Sequence, residues 1–157
     1  MSEQVSVTRE IRAPAEQVWA MVSDVTRMGE WSPETEGAEW LGSATGPVPG
    51  ARFRGTNRNG KKQWKTVATV VDAEPGRRFS FRVAATGLKV AEWVYAFEPT
   101  ATGCRVTETW TDQRGRIVST LGKPVSGVAD RASHNRAGME QTLERLAAAA
   151  ESRSQPS

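Results

Sequence analysis

The chain has 157 residues, which suits one domain and leaves no room for two of ordinary size. Hydrophobic residues make up 38% of the sequence and charged residues 25%, the balance of a globular protein. Because Cys104 is the single cysteine, a disulfide within the chain is excluded. No stretch approaches the roughly 18 apolar residues of a membrane-spanning helix, and the N-terminus lacks the pattern of a signal peptide. We therefore expect a cytoplasmic protein that does not insert into a membrane.

The first forty residues predict one strand and two short helices. Residues 4–11 alternate apolar and polar side chains, as a half-buried strand does. A helix is predicted after Pro14, because apolar residues then recur at helical spacing and proline suits the first turn. Residues 24–31 predict a second short helix, which ends where Ser32 precedes Pro33.

Six further strands are predicted between residues 35 and 111. Asn59 and Gly60 are the strongest hairpin signal in the chain, and the glycines and prolines between Gly42 and Gly50 indicate a loop. Strands joined by short turns pair with their neighbours, so the pattern predicts an antiparallel meander. The predicted strands cover residues 35–41, 51–57, 62–73, 78–84, 89–98 and 104–111.

Residues 120–150 predict a long amphipathic helix, the last element of a single domain over residues 1–150. At about 100° per residue, Asn135 falls within roughly 40° of Met139, whereas His134 lies about 140° from the apolar stripe and is predicted to face solvent. Residues 151–157 are polar and predict a disordered tail. The other members of the stripe are Leu121, Val125, Val128, Ala132, Leu143 and Leu146.

These elements predict an α+β fold, in which a curved antiparallel sheet of six or seven strands wraps around the C-terminal helix. A twisted sheet around one helix leaves a gap unless side chains fill it, and plain core packing would explain the same rings. The aromatic row of residues 89–98 is expected to face inward because Glu92 lies on the other row. Trp64 is ambiguous, since either its own row or the row of Val67 can face inward. The candidate ligand-binding residues are Trp31, Phe53, Trp64, Phe81, Trp93, Tyr95, Glu108, Trp110, Asn135 and Met139.

Three candidates on the predicted inner surface are polar: Tyr95, Glu108 and Asn135. A buried polar group without a partner costs about 1–3 kcal/mol, so we expect these groups to meet one another, water or a ligand. A small structural network, or a Glu108 at a solvated strand end, would explain them equally well. If the protein is an enzyme, Glu108 is the acid–base candidate, with its pKa raised by burial and its carboxyl paired with Tyr95.

The chain lacks the motifs of nucleotide and metal sites. No Walker loop, dinucleotide fingerprint, HExxH or GxSxG is present, and one cysteine and one histidine do not make a zinc site. We therefore expect no cofactor and no metal. The basic residues between Arg52 and Lys65 are interpreted as a solvated outer face, so no nucleic-acid partner is expected.

Several segments resemble the START-like (SRPBCC) superfamily, most of all its small actinobacterial polyketide cyclase/dehydrase members. The segments are APAEQVWAMVSDVTRMGEWSPE, GARFRGTNRNG, EPGRRFSFRV, WVYAFEPTATGCRVTETW and HNRAGMEQTLERLAAA. The resemblance implies a helix-grip fold with an internal cavity. It implies ligand binding or transport, including that of lipids. Together with the candidate rings, it leads us to expect a monomer or homodimer that binds or transports a small hydrophobic or aromatic molecule. The alternatives are a polyketide cyclase or dehydratase without metal or nucleotide, and a toxin or regulator of a toxin–antitoxin pair.

Overall fold

A computed structural model describes residues 4–85, 87–113 and 131–154. The chain begins with β1 (Gln4–Ile11), α1 (Ala15–Ser23), a single 3-10 turn (Val25–Arg27) and α2 (Met28–Trp31). Six strands follow: β2 (Thr35–Trp40), β3 (Arg52–Asn59), β4 (Lys62–Glu74), β5 (Arg78–Ala85), β6 (Leu88–Thr100) and β7 (Gly103–Asp112). The last described element is α3 (Arg131–Ser154). Its predicted first part, residues 120–130, lies outside the described residues.

The strands form one seven-stranded sheet in the order β1-β7-β6-β5-β4-β3-β2, with every neighbouring pair antiparallel. The predicted meander is therefore confirmed for β2 to β7. The first strand joins the far edge, where Gln4 pairs with Thr111 and Ile11 with Cys104.

Two turns differ from the prediction by a few residues. Asn59 pairs with Lys62, so the central turn residues are Gly60 and Lys61, one position later than predicted. Gly60 has φ 62°, a left-handed conformation that glycine adopts without steric cost. The loop predicted over residues 99–103 is shorter, because Thr100 still pairs with Gly103.

Burial shows which side of each strand faces the interior. Tyr95 and Phe97 are buried on β6, which confirms that the aromatic row faces inward. Ala68 and Val70 are buried on β4, and this places Trp64 on the inner row as well. The predicted alternation on the last strand is also confirmed, with Cys104, Val106, Glu108 and Trp110 buried.

Helix α3 packs against β1, β7, α1 and α2. The predicted apolar stripe is confirmed where the structure describes it, and Leu121, Val125 and Val128 lie outside that part. The buried residues of α3 are Asn135, Met139, Thr142, Leu143, Leu146, Ala147 and Ala150. Among the described helices, none has the length and apolarity needed to cross a bilayer.

The end of α3 corrects the predicted tail. The helix continues to Ser154, four residues into the segment predicted to be disordered. Two contacts with the N-terminal part of the chain hold this end. The backbone N–H of Arg12 donates to the carboxylate of Glu151 at 3.0 Å, and the side-chain amide of Gln17 donates to the Ala150 carbonyl at 3.1 Å.

Candidate functional site

The buried apolar side chains form two clusters rather than one. The larger lies between the sheet, α1, α2 and the C-terminal half of α3, and the smaller consists of Val5, Ala91, Trp110 and Met139. Trp93 and Val7 are partly buried and pack against both clusters. These two side chains therefore lie at the boundary between the two clusters on the concave face of the sheet.

Three of the candidate rings are packed deep in the larger cluster. The ring centroid of Phe53 lies 5.2 Å from that of Phe81 and 5.7 Å from that of Trp40, both in edge-on contacts. Trp31 is 3% exposed, and the guanidinium of Arg27 lies 4.8 Å from its ring centroid. These rings serve as core, and their contact with a ligand stays a prediction.

The remaining rings line up across the sheet in neighbouring rows. Trp93 on β6 is paired with Phe81 on β5 and with Trp110 on β7. In the next row, Tyr95 on β6 is paired with Glu108 on β7. The structure thus brings five of the candidate residues together, and Met139 of α3 packs beside Trp110. Trp64 belongs to neither cluster.

Tyr95 and Glu108 form a buried hydrogen-bonded pair. The Tyr95 hydroxyl donates to Oε2 of Glu108 at 2.8 Å, and the two residues are 5% and 2% exposed. Burial raises the pKa of the Glu108 carboxyl to about 8, although the hydrogen bond from Tyr95 lowers it. Burial, together with the nearby Glu108 carboxyl, also raises the pKa of the Tyr95 hydroxyl well above its ordinary value. The predicted pairing and the direction of the Glu108 shift are therefore confirmed.

The second carboxyl oxygen of Glu108 is left without a partner. Oε1 is inaccessible to solvent and accepts or donates no hydrogen bond within the described part of the chain. On β7 the residue lies between Val106 of the larger cluster and Trp110 of the smaller one. A carboxyl with one satisfied and one unsatisfied oxygen thus marks the division between the clusters.

Polar side chains that the prediction missed line the concave face on β2 to β4. The Asn57 amide donates to the Thr66 hydroxyl at 3.3 Å, and Thr35 donates to Asn57 at 3.5 Å. Side chains on a strand alternate between its two faces, so Asn57 lies on the same inner face as Phe53. The alternation on β3 was therefore sufficient to predict that Asn57 faces inward.

The first turns of α3 make polar contacts of their own. Asn135 is 7% exposed, which confirms its predicted place on the inner face. His134 was expected to face solvent, but its imidazole forms a hydrogen bond of 2.8 Å with Glu34 and is 39% exposed. The helical wheel could not reveal this contact, because Glu34 belongs to the turn between α2 and β2. A Cβ at Gly138 would lie 3.6 Å from Pro33, which is an ordinary van der Waals contact.

Two pockets lined by described residues lie away from Glu108. One, of about 650 Å³, is formed by residues 41–52, and the other, of about 430 Å³, lies beside Gln141, Glu144, Arg145 and Ala148 of α3. The cavity predicted between the sheet and the helix stays a prediction.

The predicted basic run lies on β3, β4 and the turn between them. Arg54 forms an ion pair with Glu39 at 3.5 Å, and Arg58 forms one with Glu36 at 3.0 Å. Because carboxylates of β2 engage these cations, the arrangement supports a solvated outer face more than a surface for an acidic partner.

A seven-stranded antiparallel sheet around a long C-terminal helix, with two short helices after the first strand, defines the helix-grip fold. A family model described as "Polyketide cyclase / dehydrase and lipid transport" matches residues 2–151. The chain belongs to this family. No curated protein matches it.

Three solved structures indicate how widely the fold is used. The Polyketide_cyc-like protein Cgl2372 from Corynebacterium glutamicum is 34% identical, with a TM-score of 0.63 over 94% of this chain and 90% of that one. Protein MLL2253 from Mesorhizobium loti is 19% identical, with a TM-score of 0.70 over 98% and 100% of the two chains. The di-domain ARO/CYC StfQ from the steffimycin biosynthetic pathway is 14% identical, with a TM-score of 0.75 over 98% of this chain and 52% of StfQ. The last two likenesses concern the fold alone.

Proposed function

We propose that this protein binds a small hydrophobic or aromatic molecule between the concave face of the sheet and α3. The observation that carries the proposal is the environment of Trp93. This ring lies in the middle of the sheet and packs against both core clusters, yet it keeps part of its surface exposed. A partly exposed tryptophan between two buried clusters offers apolar area on which a flat molecule can pack.

The neighbours of Trp93 favour a ligand of this kind. Phe81 and Trp110 flank it in the same row, and Val7 is the other residue that contacts both clusters. Glu108 is the acidic group on the neighbouring row, and its pKa of about 8 leaves it predominantly neutral at neutral pH. An apolar wall with one neutral polar group suits an uncharged organic molecule better than an ion.

Quenching of tryptophan fluorescence by naphthalene tests the proposal. We expect saturable quenching in the wild-type protein and at least tenfold weaker binding in Trp93→Ala, because the stacking surface is removed. Trp19→Phe is the control. Trp19 lies on α1, outside the proposed site, and its indole N–H donates to the Arg78 carbonyl of β5. Absence of saturable binding, or equal binding in both variants, would contradict the proposal.

A second function, that of a cyclase or dehydratase, is favoured by the Tyr95–Glu108 pair. A carboxylic acid that keeps its proton near neutral pH can protonate a carbonyl or a departing hydroxyl group of a polyketide-like substrate. Glu108→Gln keeps the shape of the side chain and removes the acid. Turnover lost in this variant while binding persists would favour the enzyme, and unchanged turnover would exclude Glu108 as its acid.

A further inference from the structure

We propose that the ligand of this site carries a carbonyl or similar acceptor oxygen, which accepts a hydrogen bond from Oε1 of Glu108. The inference rests on the proposed function and names the chemical class of its ligand. A hydrocarbon of the same shape would fit the same rings but leave this oxygen unsatisfied.

The hydrogen bond from Tyr95 decides which carboxyl oxygen is free. Its hydroxyl donates to Oε2, which leaves Oε1 as the carboxyl oxygen that is available to a ligand. With its proton on Oε1, the neutral acid is a hydrogen-bond donor at that atom. Oε1 is buried and has no partner among the described residues. A buried O–H group without an acceptor costs stability, and a ligand oxygen would remove that cost.

Among the described strands, the direct neighbours of Glu108 supply no competing partner for Oε1. Its directly paired neighbours across the strands are Tyr95 on β6 and Val7 on β1, and its neighbours along the row of β7 are Val106 and Trp110. Of these four side chains, only Tyr95 is polar, and its hydroxyl is already engaged with Oε2.

The titratable groups on the inner rows of the neighbouring strands are Tyr95 on β6, Cys104 and Asp112 on β7, and Arg9 on β1. Arg9 is exposed, and Asp112 is buried on the far side of Trp110 from Glu108. The buried face of α3 presents Asn135, Met139, Thr142 and Leu143 in this region, none of which titrates. Burial without a compensating cation keeps the proton on Glu108, and its pKa of about 8 agrees with a donor at neutral pH. The site therefore favours an acceptor oxygen over an ammonium group.

Two probes of equal shape isolate the hydrogen bond. Methyl naphthyl ketone has a carbonyl oxygen where isopropenylnaphthalene has a methylene group. Calorimetric titration of the wild-type protein near neutral pH is expected to give about tenfold tighter binding of the ketone. Glu108→Gln should keep this preference because its amide N–H₂ still donates, whereas Glu108→Leu should bind both probes equally.

The pH profile separates a proton donor from a merely structural carboxyl. The preference for the ketone should fall as the pH rises through about 8, because ionised Glu108 no longer donates. In Tyr95→Phe the hydrogen bond that lowers the pKa of Glu108 is absent, so the preference should persist to higher pH. Thr107→Ala is the matched control on the outer face of β7, where Thr107 contacts Thr8, and it should follow the wild type.

The outcomes distinguish the two proposals. Binding of both probes with equal affinity by the wild-type protein would overturn the acceptor-oxygen inference and leave the binding function intact. Binding of neither probe would overturn both. A preference for the ketone that survives Glu108→Leu would assign the hydrogen bond to another group and also overturn the inference.

Discussion

Replacing Glu108 by glutamine should flatten the dependence of stability on pH. The carboxyl titrates near its ordinary value of 4.5 in the unfolded chain and at about 8 in the folded protein. Between these values the unfolded state binds fewer protons, so the free energy of unfolding falls as the pH rises. The stabilising contribution of the neutral acid is complete below about pH 4.5 and is lost by about pH 8.

The size of this effect follows from the shift. At about 1.4 kcal/mol per pKa unit, the rise of the Glu108 pKa corresponds to about 5 kcal/mol, as an order of magnitude. That is a large share of the roughly 5–15 kcal/mol that stabilises an ordinary domain. Glutamine has no proton to lose, and its amide oxygen can still accept the hydrogen bond from Tyr95. The variant should therefore be more stable than the wild type at about pH 8 and similar to it near pH 5.

Urea unfolding at a series of pH values measures the effect. With a slope of about 2 kcal/mol per M, the difference amounts to about 2 M in the unfolding midpoint at the alkaline end. Glu140→Gln changes an exposed glutamate of α3 and should follow the wild-type curve. Parallel curves for the wild type and Glu108→Gln would refute the idea that Glu108 is buried and neutral in the folded protein.

Three further substitutions test the packing and the charges. Gly103→Ala should destabilise the protein by about 3 kcal/mol or more in thermal unfolding, because its Cβ would lie 2.7 Å from the backbone nitrogen of Ala13. Gly138→Ala should stabilise α3 by about 0.5–1 kcal/mol in urea unfolding, since helix propensity improves and the Cβ meets Pro33 at an ordinary 3.6 Å. Asp72→Asn should remove part of the acid sensitivity. Hydrogen bonds from Ser80 and Arg78 lower the pKa of Asp72, so its contribution is lost as the pH falls through that lowered value.

Each of these predictions has an outcome that would contradict it. Gly37→Ala places a Cβ in open space, so a loss equal to that of Gly103→Ala would rule out the backbone clash as the cause. For Gly138→Ala, a lower unfolding midpoint would mean that α3 and the α2–β2 turn approach more closely than the structure indicates. For Asp72→Asn, urea unfolding should show a lower free energy of unfolding than the wild type at neutral pH, and the difference should shrink as the pH falls through the lowered pKa of Asp72. A difference that stays constant with pH would contradict the prediction.

Local sequence patterns predicted most of the fold because they reflect burial directly. The alternation of Phe79 and Phe81 with Arg78 and Arg82 is possible only in a strand with one apolar face, and β5 has that form. The same alternation singles out Glu108, because it is a charged residue on an apolar row. The pairing with Tyr95 followed because both residues were assigned to the inner face.

The remaining details depend on contacts between distant parts of the chain. The end of α3 was placed too early because the carboxylate of Glu151 binds Arg12, which no local pattern reveals. His134 was assigned to solvent because a helical wheel contains no information about Glu34. Ser80 lies on the polar row of β5 yet is buried, since a register shift in β4 brings Asp72 over it at 2.7 Å. The contact partners of a side chain, the register between two strands and the position of a β-bulge all depend on tertiary structure.

The position of β1 at the edge of the sheet also determines when the fold can be completed. Ser6 on β1 and Thr109 on β7 are hydrogen-bonded although they are 103 positions apart in the chain. A nascent chain therefore carries β1 without a partner until β7 has left the ribosome, while hairpins such as β3–β4 close locally and early. Helix α3, which packs on β1, can dock only after that late pairing. Until then, the first strand is an open template for association with other nascent chains.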